Sequence, residues 1–372
     1  MSQGVYIHFP FCLSRCGYCS FVSYSGENLE RIDDYLKAVE QEIKRRPPEL
    51  PLQSVYLGGG TPSLMSVAQL EEILECLIRE PDCEVSMEVN PGTLTKEKLM
   101  GFMKKGVNRF SLGVQSFIPN ELKLLGRSHS VRQAHNVIRL MKQSGAENLS
   151  VDLIYGLPGQ NPSDFRRSLM ATLTYRPQHI SLYALSLEEQ CPLAIQIEKG
   201  CEKAIDTDLA AQSYEQACLI LQENGYQQYE ISNWALPGYQ CRHNLMYWKQ
   251  AIWEAYGLAA VAFDGNNRKT NRSDLAGYLS CWQENISSRE SLEELTHAQL
   301  LSEGLILALR LNEGADLDYF SGKYEVNAAK RFAAAIEQSE QNGLLEIQGS
   351  VLKLTQRGKL LSNEVFWRFL PE

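Results

Sequence analysis

The sequence has no run of about 18 apolar residues, so no segment is expected to span a membrane. It also lacks an excess of positive charge, because 36 Lys and Arg residues are outnumbered by 45 Asp and Glu and the net charge is −9. Phosphate binding favours a basic surface, so we expect no nucleic-acid partner. A local basic patch remains compatible with this acidic total.

A secretory signal is also missing, since Met1 to Pro10 leads directly into a predicted strand without a charged region and an apolar region. We therefore expect a cytoplasmic protein, with peripheral contact to a membrane left open. In that reducing compartment the ten cysteines are metal ligands, catalytic groups or small packed side chains rather than disulfide partners.

A unit of roughly 30 residues, made of a strand, a loop and a helix, repeats along the first part of the chain. The predicted strands are 4–9, 54–57, 84–89, 109–114, 149–155 and 179–185. The predicted helices are 31–46, 67–79, 96–105, 131–144, 162–175 and 208–224. Six alternations predict an α/β fold in which a parallel sheet forms a partial (β/α)6 barrel. In such a barrel the functional residues lie at the carboxyl ends of the strands.

The pattern changes after residue 225. Residues 226–290 are rich in aromatic side chains, and Asp264 to Asp274 is polar enough to predict a loop. From Ser291 the pattern is helical, followed by a hairpin that turns at Gln348-Gly349 and a last helix near Thr355. We therefore expect a barrel at 1–225, an aromatic-rich region with a connecting loop at 226–290, and a winged-helix-like domain at 291–372.

Three cysteines follow the first predicted strand with the spacing Cys12-x3-Cys16-x2-Cys19. Three thiolates on one loop can hold three irons of a [4Fe-4S] cube and leave the fourth iron open. The open iron can chelate the amino and carboxylate groups of S-adenosylmethionine (SAM), whose sulfonium bond the cluster then reduces. Zinc is the alternative, but it requires a fourth nitrogen or sulfur ligand. The other seven cysteines show no metal-ligand spacing.

Polar and glycine-rich residues gather at the predicted carboxyl ends of the strands. Gly58 to Thr61 follow the second strand, and side-chain-free positions allow the backbone to approach a ligand, although a sharp turn is the alternative. Glu88 ends the third strand, Gln115 ends the fourth, and Asp152 lies in the fifth. A carboxylate in an apolar strand costs several kcal/mol without a partner, which favours functional roles for Glu88 and Asp152.

Several motifs together resemble the HemN/HemW group of radical SAM proteins, and the similarity runs nearly end to end. They are Tyr6-Ile-His-Phe-Pro-Phe-Cys12, Cys16-Gly-Tyr-Cys19-Ser-Phe21, Gly58-Gly-Gly-Thr-Pro62, Glu88-Val-Asn-Pro91, Gly113-Val-Gln-Ser116, Asp152-Leu-Ile-Tyr-Gly156, His243-Asn-Leu-Met-Tyr-Trp248 and Leu354-Thr355-x2-Gly358. The resemblance implies that Cys12, Cys16 and Cys19 hold the cluster.

The same resemblance implies positions for SAM. Tyr6, Gly59 and Glu88 match positions that contact the SAM on the cluster. A second SAM matches another set of positions: Tyr18, Gly60, Thr61, Gln115, Arg127 and Asp152. The alternatives are that Tyr6 fills the barrel, that Arg127 is a surface cation and that only one SAM binds.

Two branches of the group differ in function. The branch that oxidises coproporphyrinogen III carries a fourth cysteine two residues after the third, where this chain has Phe21. The resemblance therefore implies the heme-chaperone branch, which binds heme and passes it to hemoproteins such as respiratory enzymes, and it implies an external electron donor. Coproporphyrinogen III dehydrogenase activity, a SAM-dependent oxidative decarboxylation to protoporphyrinogen IX, is the alternative. A radical SAM enzyme for an unrelated substrate is the third hypothesis.

His243 is the candidate heme contact, because a neutral imidazole can bind heme iron and Tyr247 and Trp248 could cover the macrocycle. A hydrogen-bonded core histidine is the alternative reading of the same residue. We expect no coproporphyrinogen oxidase activity and leave SAM cleavage open.

Overall fold

The computed structural model describes residues 3–371. Six parallel strands lie side by side in chain order at the centre of the fold. They are β1 (Gln3–Phe9), β2 (Leu52–Gly59), β3 (Arg79–Val89), β4 (Arg109–Gln115), β5 (Leu149–Tyr155) and β6 (His179–Ala184). The predicted α/β fold with a partial barrel is confirmed, since β1 and β6 each pair with further strands rather than with each other.

Eight helices follow these strands in the described part of the chain. They are α1 (Ile32–Arg45), α2 (Val67–Glu75), α3 (Lys96–Lys104), α4 (Pro119–Leu124), α5 (Val131–Gln143), α6 (Pro162–Leu173), α7 (Pro192–Glu198) and α8 (Thr207–Glu223). Helices α2, α3, α5, α6 and α8 begin where a side chain caps their first turn. The Ser130 hydroxyl accepts a hydrogen bond from the Gln133 backbone N–H, for example, and the Gln133 side chain accepts one in return.

Side chains alternate across the strands, as the pleat requires. Phe110 and Leu112 of β4 are fully buried in the apolar core between the sheet and the helices. Arg109, Ser111 and Gly113 of the same strand therefore face the inner side of the curved sheet. This inner side is polar, and the candidate site forms there.

Both edges of the sheet are extended by residues from the middle of the chain. One edge adds β8 (Asn233–Ala235) and β7 (Gln227–Glu230), and the other adds β9 (Ile252–Tyr256), β10 (Val261–Phe263), β11 (Asn267–Asn271) and β12 (Arg289–Glu294). Helix α9 (Arg242–Trp248) and helix α10 (Leu275–Gln283) lie between these strands in the chain. The three-part division of the chain at residues 225 and 290 stays a prediction.

Three local predictions were wrong. The second helix ends at Glu75 rather than Arg79, because Arg79 already belongs to β3 and pairs with Leu52. The predicted loop at 264–274 contains β11, which pairs with β10 and β12 on either side. Ser291, predicted as helical, lies in β12, and the helix begins at His297.

The last part of the chain has an apolar core of its own, built from residues such as Leu305, Phe332 and Phe369. It contains α11 (His297–Leu309), β13 (Ala315–Asp316), α12 (Leu317–Tyr324), α13 (Ala328–Arg331), α14 (Ala333–Gln341), β14 (Leu345–Gln348), β15 (Val351–Leu354), α15 (Gln356–Leu360) and α16 (Ser362–Phe369). The predicted hairpin is β14–β15, with β13 as a third strand. Within residues 3–371, no helix is both long enough and apolar enough to cross a membrane.

Candidate cluster and cofactor site

The three cysteines lie on the loop that leaves the carboxyl end of β1. The backbone fixes this loop at several points. Cys12 N–H donates to the Tyr24 carbonyl at 2.9 Å, and Gly17 N–H donates to the Leu125 carbonyl at 3.0 Å. All three cysteines are partly exposed, so their thiols are accessible from the rim of the barrel.

Two of the three sulfur atoms receive hydrogen bonds from neighbouring loops. The Thr61 hydroxyl donates to Cys12 Sγ at 3.5 Å, and Arg127 Nη1 donates to Cys16 Sγ at 3.3 Å. Burial raises the pKa of the Cys12 and Cys19 thiols, and the hydrogen bond from Thr61 lowers that of Cys12.

The cysteine loop differs from a site for a single metal ion. Within residues 3–371, no three Cys, His, Asp or Glu side chains are arranged to hold a single metal ion. A [4Fe-4S] cube binds each cysteine through a different iron, so its ligands lie farther apart than those of one ion. Three thiols on one loop are the number that a cluster with one open iron requires, whereas a structural zinc site has four protein ligands.

The glycine turn after β2 packs directly against the cysteine loop. Gly60 N–H donates to the Phe9 carbonyl at 2.7 Å, and a Cβ atom at Gly60 would lie 2.6 Å from the Phe11 carbonyl oxygen. Gly59 has a φ of +110°, and a Cβ atom there would lie 2.5 Å from the His8 ring. Larger residues at these two positions would push the turn away from the loop.

Glu88 points to the inner side of the sheet and has the partners that its position in an apolar strand requires. Its carboxyl group accepts hydrogen bonds from the Tyr56 hydroxyl and from Gly59 N–H, both at 3.0 Å. Burial raises the pKa of Glu88 to about 7, although these two hydrogen bonds lower it. Tyr6 lies nearby, with its ring 6.3 Å from the Tyr56 ring.

Asp152 and Arg127 lie further along the rim. The Asp152 carboxyl group accepts from the Ser111 hydroxyl at 2.9 Å and from the Ser150 hydroxyl at 3.1 Å. Burial raises the Asp152 pKa. Arg127 Nη2 donates to the Gly113 carbonyl at 2.7 Å, and this contact places the guanidinium between β4 and Cys16.

Two buried polar atoms at the rim lack a hydrogen-bond partner among the described residues. They are Oε1 of Gln115 and Nε of Arg127. Gln115 also has a φ of +68°, a strained value for a residue other than glycine, at an irregularity between β4 and β5. Buried polar groups in native proteins normally have partners, so these atoms indicate a polar ligand at the rim.

His243 lies away from the cysteine loop. Its Nδ1 shares a hydrogen bond of 2.8 Å with the hydroxyl of Ser54, which is near the amino end of β2, about 16 Å along the strand from Gly59. Its Nε2 shares a hydrogen bond of 2.8 Å with the Tyr247 hydroxyl. Burial, and then the positive charge of Arg109, lower the pKa of His243 to about 3. The ring is therefore neutral, but both nitrogens are occupied.

Comparisons with known proteins match the whole chain. The model of the radical SAM superfamily matches residues 6–171, and the model of the HemN C-terminal domain matches residues 295–361. The "Heme chaperone HemW" of Bacillus subtilis is 32% identical, with 100% of each chain covered. The chain belongs to the HemW family of the radical SAM superfamily.

Relatives of the HemW family also occur in animals. A mitochondrial "Radical S-adenosyl methionine domain-containing protein 1" of Bos taurus is 38% identical, over 95% of this chain and 84% of the relative. Among solved structures, coproporphyrinogen III oxidase (HemN) of Escherichia coli has a TM-score of 0.86 at 22% identity. That alignment covers 99% of this chain and 90% of the oxidase. At this level of identity the similarity shows the shared fold.

Membership of the radical SAM superfamily implies a [4Fe-4S] cluster and SAM. When bound, such a cluster would supply an electron for chemistry on SAM. The residues present fit both groups: three thiols share one loop with donors to two of the sulfurs, the glycine turn has no room for side chains, and the unpartnered atoms of Gln115 and Arg127 lie beside them.

The sequence did not point to Tyr56 or His8 as parts of the HemW-family site. The Tyr56 hydroxyl donates a hydrogen bond to Glu88, and the Tyr6 hydroxyl shares a hydrogen bond of 3.0 Å with Nδ1 of His8. Nε2 of His8 in turn lies 3.0 Å from the Val22 carbonyl oxygen in the cysteine loop. The sequence signal for both is the recurrence of polar residues at every second position of β1 and β2.

Proposed function

We propose that the protein is a heme chaperone of the HemW type, which binds heme and transfers it to hemoproteins. The observation that carries this proposal is the full-length similarity to curated proteins named heme chaperone HemW in Bacillus subtilis and Lactococcus lactis, at 32% and 33% identity. Phe21, with 61% of its surface exposed, stands where the coproporphyrinogen-oxidising branch has a fourth cysteine.

The proposed cofactor ligands are those that the resemblance implies, and contacts at the rim support them. Cys12, Cys16 and Cys19 would hold the cluster. The residues that contact each SAM would differ: Tyr6, Gly59 and Glu88 for the first, and Tyr18, Gly60, Thr61, Gln115, Arg127 and Asp152 for a second. The contacts of Glu88 with Gly59 and of Arg127 with Cys16 support this grouping, because the first joins two members of one set and the second joins a member of the other set to a cluster cysteine.

The proposed partners are hemoproteins that accept heme, such as membrane-bound respiratory enzymes, together with an external electron donor. We further propose a cytoplasmic location with peripheral contact to the membrane where such acceptors reside. Coproporphyrinogen III dehydrogenase activity is the second candidate, and the shared fold with HemN favours it only at the level of architecture.

SAM affinity is expected to fall about tenfold for each pH unit below 7, because Glu88 has a pKa of about 7 and its carboxylate form attracts the positively charged cofactor. Glu88→Gln should weaken SAM binding at pH 8 and flatten the profile between pH 6 and 8. Calorimetric titration of the reconstituted protein measures both effects. The exposed Glu97→Gln serves as the control, and a pH profile unchanged by Glu88→Gln would contradict this role.

The raised pKa of Glu88 has the opposite effect on folding stability, which is expected to increase as the pH falls. The folded-state pKa lies above the ordinary value of 4.5, so the SAM-free folded state binds a proton that the unfolded chain does not hold between pH 4.5 and 7. The contribution of Glu88 to stability should therefore increase as the pH falls through this window and disappear in Glu88→Gln.

Heme binding tests the proposed function, and a pair of variants tests His243 as the iron ligand. The protein should bind one heme, seen as a Soret band, and His243→Ala should weaken binding by at least roughly tenfold. Tyr247→Phe keeps the ring but removes the hydroxyl that occupies Nε2, so it should strengthen binding. Unchanged affinity in both variants would remove His243 from the heme site, and no heme binding by the unaltered protein would contradict the function itself.

A further inference from the structure

A cleft of about 850 Å³ lies against the cysteine loop, and we call it the loop cleft. Arg15 and Gly17 of the cysteine loop line it, together with residues of α4, of the turn between β5 and α6, and of the first turns of α6 and α7. Of the described residues that match SAM contacts, none lines the loop cleft. It therefore reaches the cysteine loop from a side that the SAM positions leave free.

The loop cleft meets the cysteine loop at a position without a side chain. Gly17 N–H donates to the Leu125 carbonyl at 3.0 Å, and the Gly17 carbonyl accepts from Leu193 N–H at 2.9 Å. These contacts fix the residue after Cys16 against α4 and α7. A Cβ atom on Gly126 would lie 3.0 Å from the Gly17 nitrogen, so the two backbones approach closely. One backbone unit therefore separates the loop cleft from a cluster cysteine.

This position suits the entry of an electron. A cluster that gives an electron to SAM has to receive one from another molecule before it can act again. The donor has to come close to the cysteine loop, because electron transfer becomes steeply slower with distance. The SAM positions occupy another approach to the thiols, which leaves the loop cleft as the approach for the donor.

Cations without partners surround the loop cleft. Arg15 and Lys123 line it and are exposed. Lys203 lies beside it, since its Cδ would be 3.4 Å from a Cβ atom on the lining residue Gly159. In the described part of the chain, none of these three cations forms an ion pair. The rim of the loop cleft can therefore attract negative charge on a partner.

Most carboxyl groups that line the loop cleft are already engaged. Asp164 pairs with Arg167. Glu121 is buried and accepts a hydrogen bond from the Gln160 side chain at 3.0 Å, and burial raises its pKa. Glu202 is the remaining lining carboxylate. Among these residues the unpaired cations outnumber the free carboxylates, although the whole chain has a net charge of −9.

The cysteine loop also exposes two large apolar side chains. Leu13 and Phe21 are 51% and 61% exposed, and each lies within two residues of a cluster cysteine. Exposed apolar side chains surrounded by polar groups are typical of surfaces that bind another protein. A protein partner therefore fits this part of the molecule better than a small reductant.

We propose that the loop cleft is the docking site of an acidic one-electron carrier protein. The carrier would place the edge of its redox group in the cleft, with its acidic surface against Arg15, Lys123 and Lys203. One electron would leave the reduced carrier and enter the oxidised cluster, and no bond would form or break. Complexes of this kind are small and short-lived, and charge complementarity speeds their formation. The inference rests on the cluster proposed above and is independent of heme binding.

Stopped-flow absorption tests this inference, because the visible absorption of an iron–sulfur cluster decreases when the cluster accepts an electron. Two donors are compared on the anaerobically reconstituted full chain. One is photoreduced flavodoxin, an acidic protein that carries a flavin, and the other is photoreduced deazaflavin, a small neutral molecule. Both should reduce the cluster of the unaltered protein. Variants are compared at equal iron content.

Arg15→Glu/Lys123→Glu should slow reduction by flavodoxin roughly tenfold at about 0.05 M salt and much less at about 0.5 M salt. Gln196→Trp places a bulky neutral side chain at an exposed lining position of α7, so it should slow the reaction at both salt concentrations. Reduction by deazaflavin should stay normal in both variants. The control Lys37→Glu/Lys330→Glu reverses two exposed cations outside the loop cleft and should leave both rates unchanged.

Equal slowing with both donors would overturn the assignment, because the variants would then have altered the cluster itself. Equal slowing in the control would show that net charge alone is responsible. Reduction of the unaltered protein by deazaflavin but not by flavodoxin would overturn a carrier protein as the partner. A protein that binds no iron would end this inference together with the cluster, whereas a failure to bind heme would contradict the chaperone function alone.

Discussion

Cys16→Ala is expected to lower the iron bound to anaerobically reconstituted protein to below roughly a tenth of the normal content, with loss of the brown chromophore. Each cysteine holds a different iron of the cube, so one missing thiolate leaves two irons open and the cluster labile. Cys12→Ala and Cys19→Ala should behave in the same way. Iron analysis and visible absorption measure the effect.

Cys201→Ala provides the matched control, because Cys201 is an exposed free cysteine outside the loop. That variant should keep its iron and its spectrum. A full complement of iron in any of the three loop variants would show that the cluster is held elsewhere, and equal loss in the control would point to general damage during reconstitution.

Glu42→Ala is expected to lower the free energy of unfolding by about 3–5 kcal/mol. The Glu42 carboxyl group is fully buried in α1 and accepts hydrogen bonds from the Tyr278 hydroxyl at 2.6 Å and from Gly257 N–H at 2.8 Å. Asn271 and Ser288 donate to it as well. Removal of the carboxyl group leaves the Tyr278 hydroxyl and Gly257 N–H without this acceptor in the interior, and it leaves Arg46 without its anionic partner.

Urea denaturation of the two proteins at the same cluster content measures this difference. Glu40→Ala on the same helix is the control, since Glu40 pairs only with Lys44 near the surface and should cost no more than about 1 kcal/mol. Similar denaturation midpoints for Glu42→Ala and Glu40→Ala would contradict the importance of the buried network.

The strands of the barrel could be predicted because each is a short apolar run between polar segments, as in Leu149–Tyr155, where the prediction and the structure agree at both ends. The end of α2 could not be predicted from the sequence. The residues after Glu75 continue a helical pattern, but pairing of Arg79 with Leu52 draws them into β3. Strand β11 was missed because its sequence, Asn-Arg-Lys-Thr-Asn, is polar and has strand structure only through its neighbours.

Part of the candidate site could likewise be predicted from the sequence, and part could not. The cysteine loop and the glycine turn could be located from motifs, because their spacing along the chain is fixed by local chemistry. The contact between Tyr56 and Glu88 joins residues 32 positions apart and depends on the register of β2 and β3. Both ring nitrogens of His243 form hydrogen bonds, one with Ser54 and one with Tyr247. These contacts depend on where α9 packs, which the sequence does not show.

The choice between heme chaperone and oxidase depends on what the protein does with a porphyrinogen. The direct measurement incubates the anaerobically reconstituted protein with SAM, a reductant and coproporphyrinogen III, and in parallel with heme. A heme chaperone of the HemW type binds heme stably and forms no protoporphyrinogen IX. Repeated turnover of coproporphyrinogen III to protoporphyrinogen IX would contradict that function.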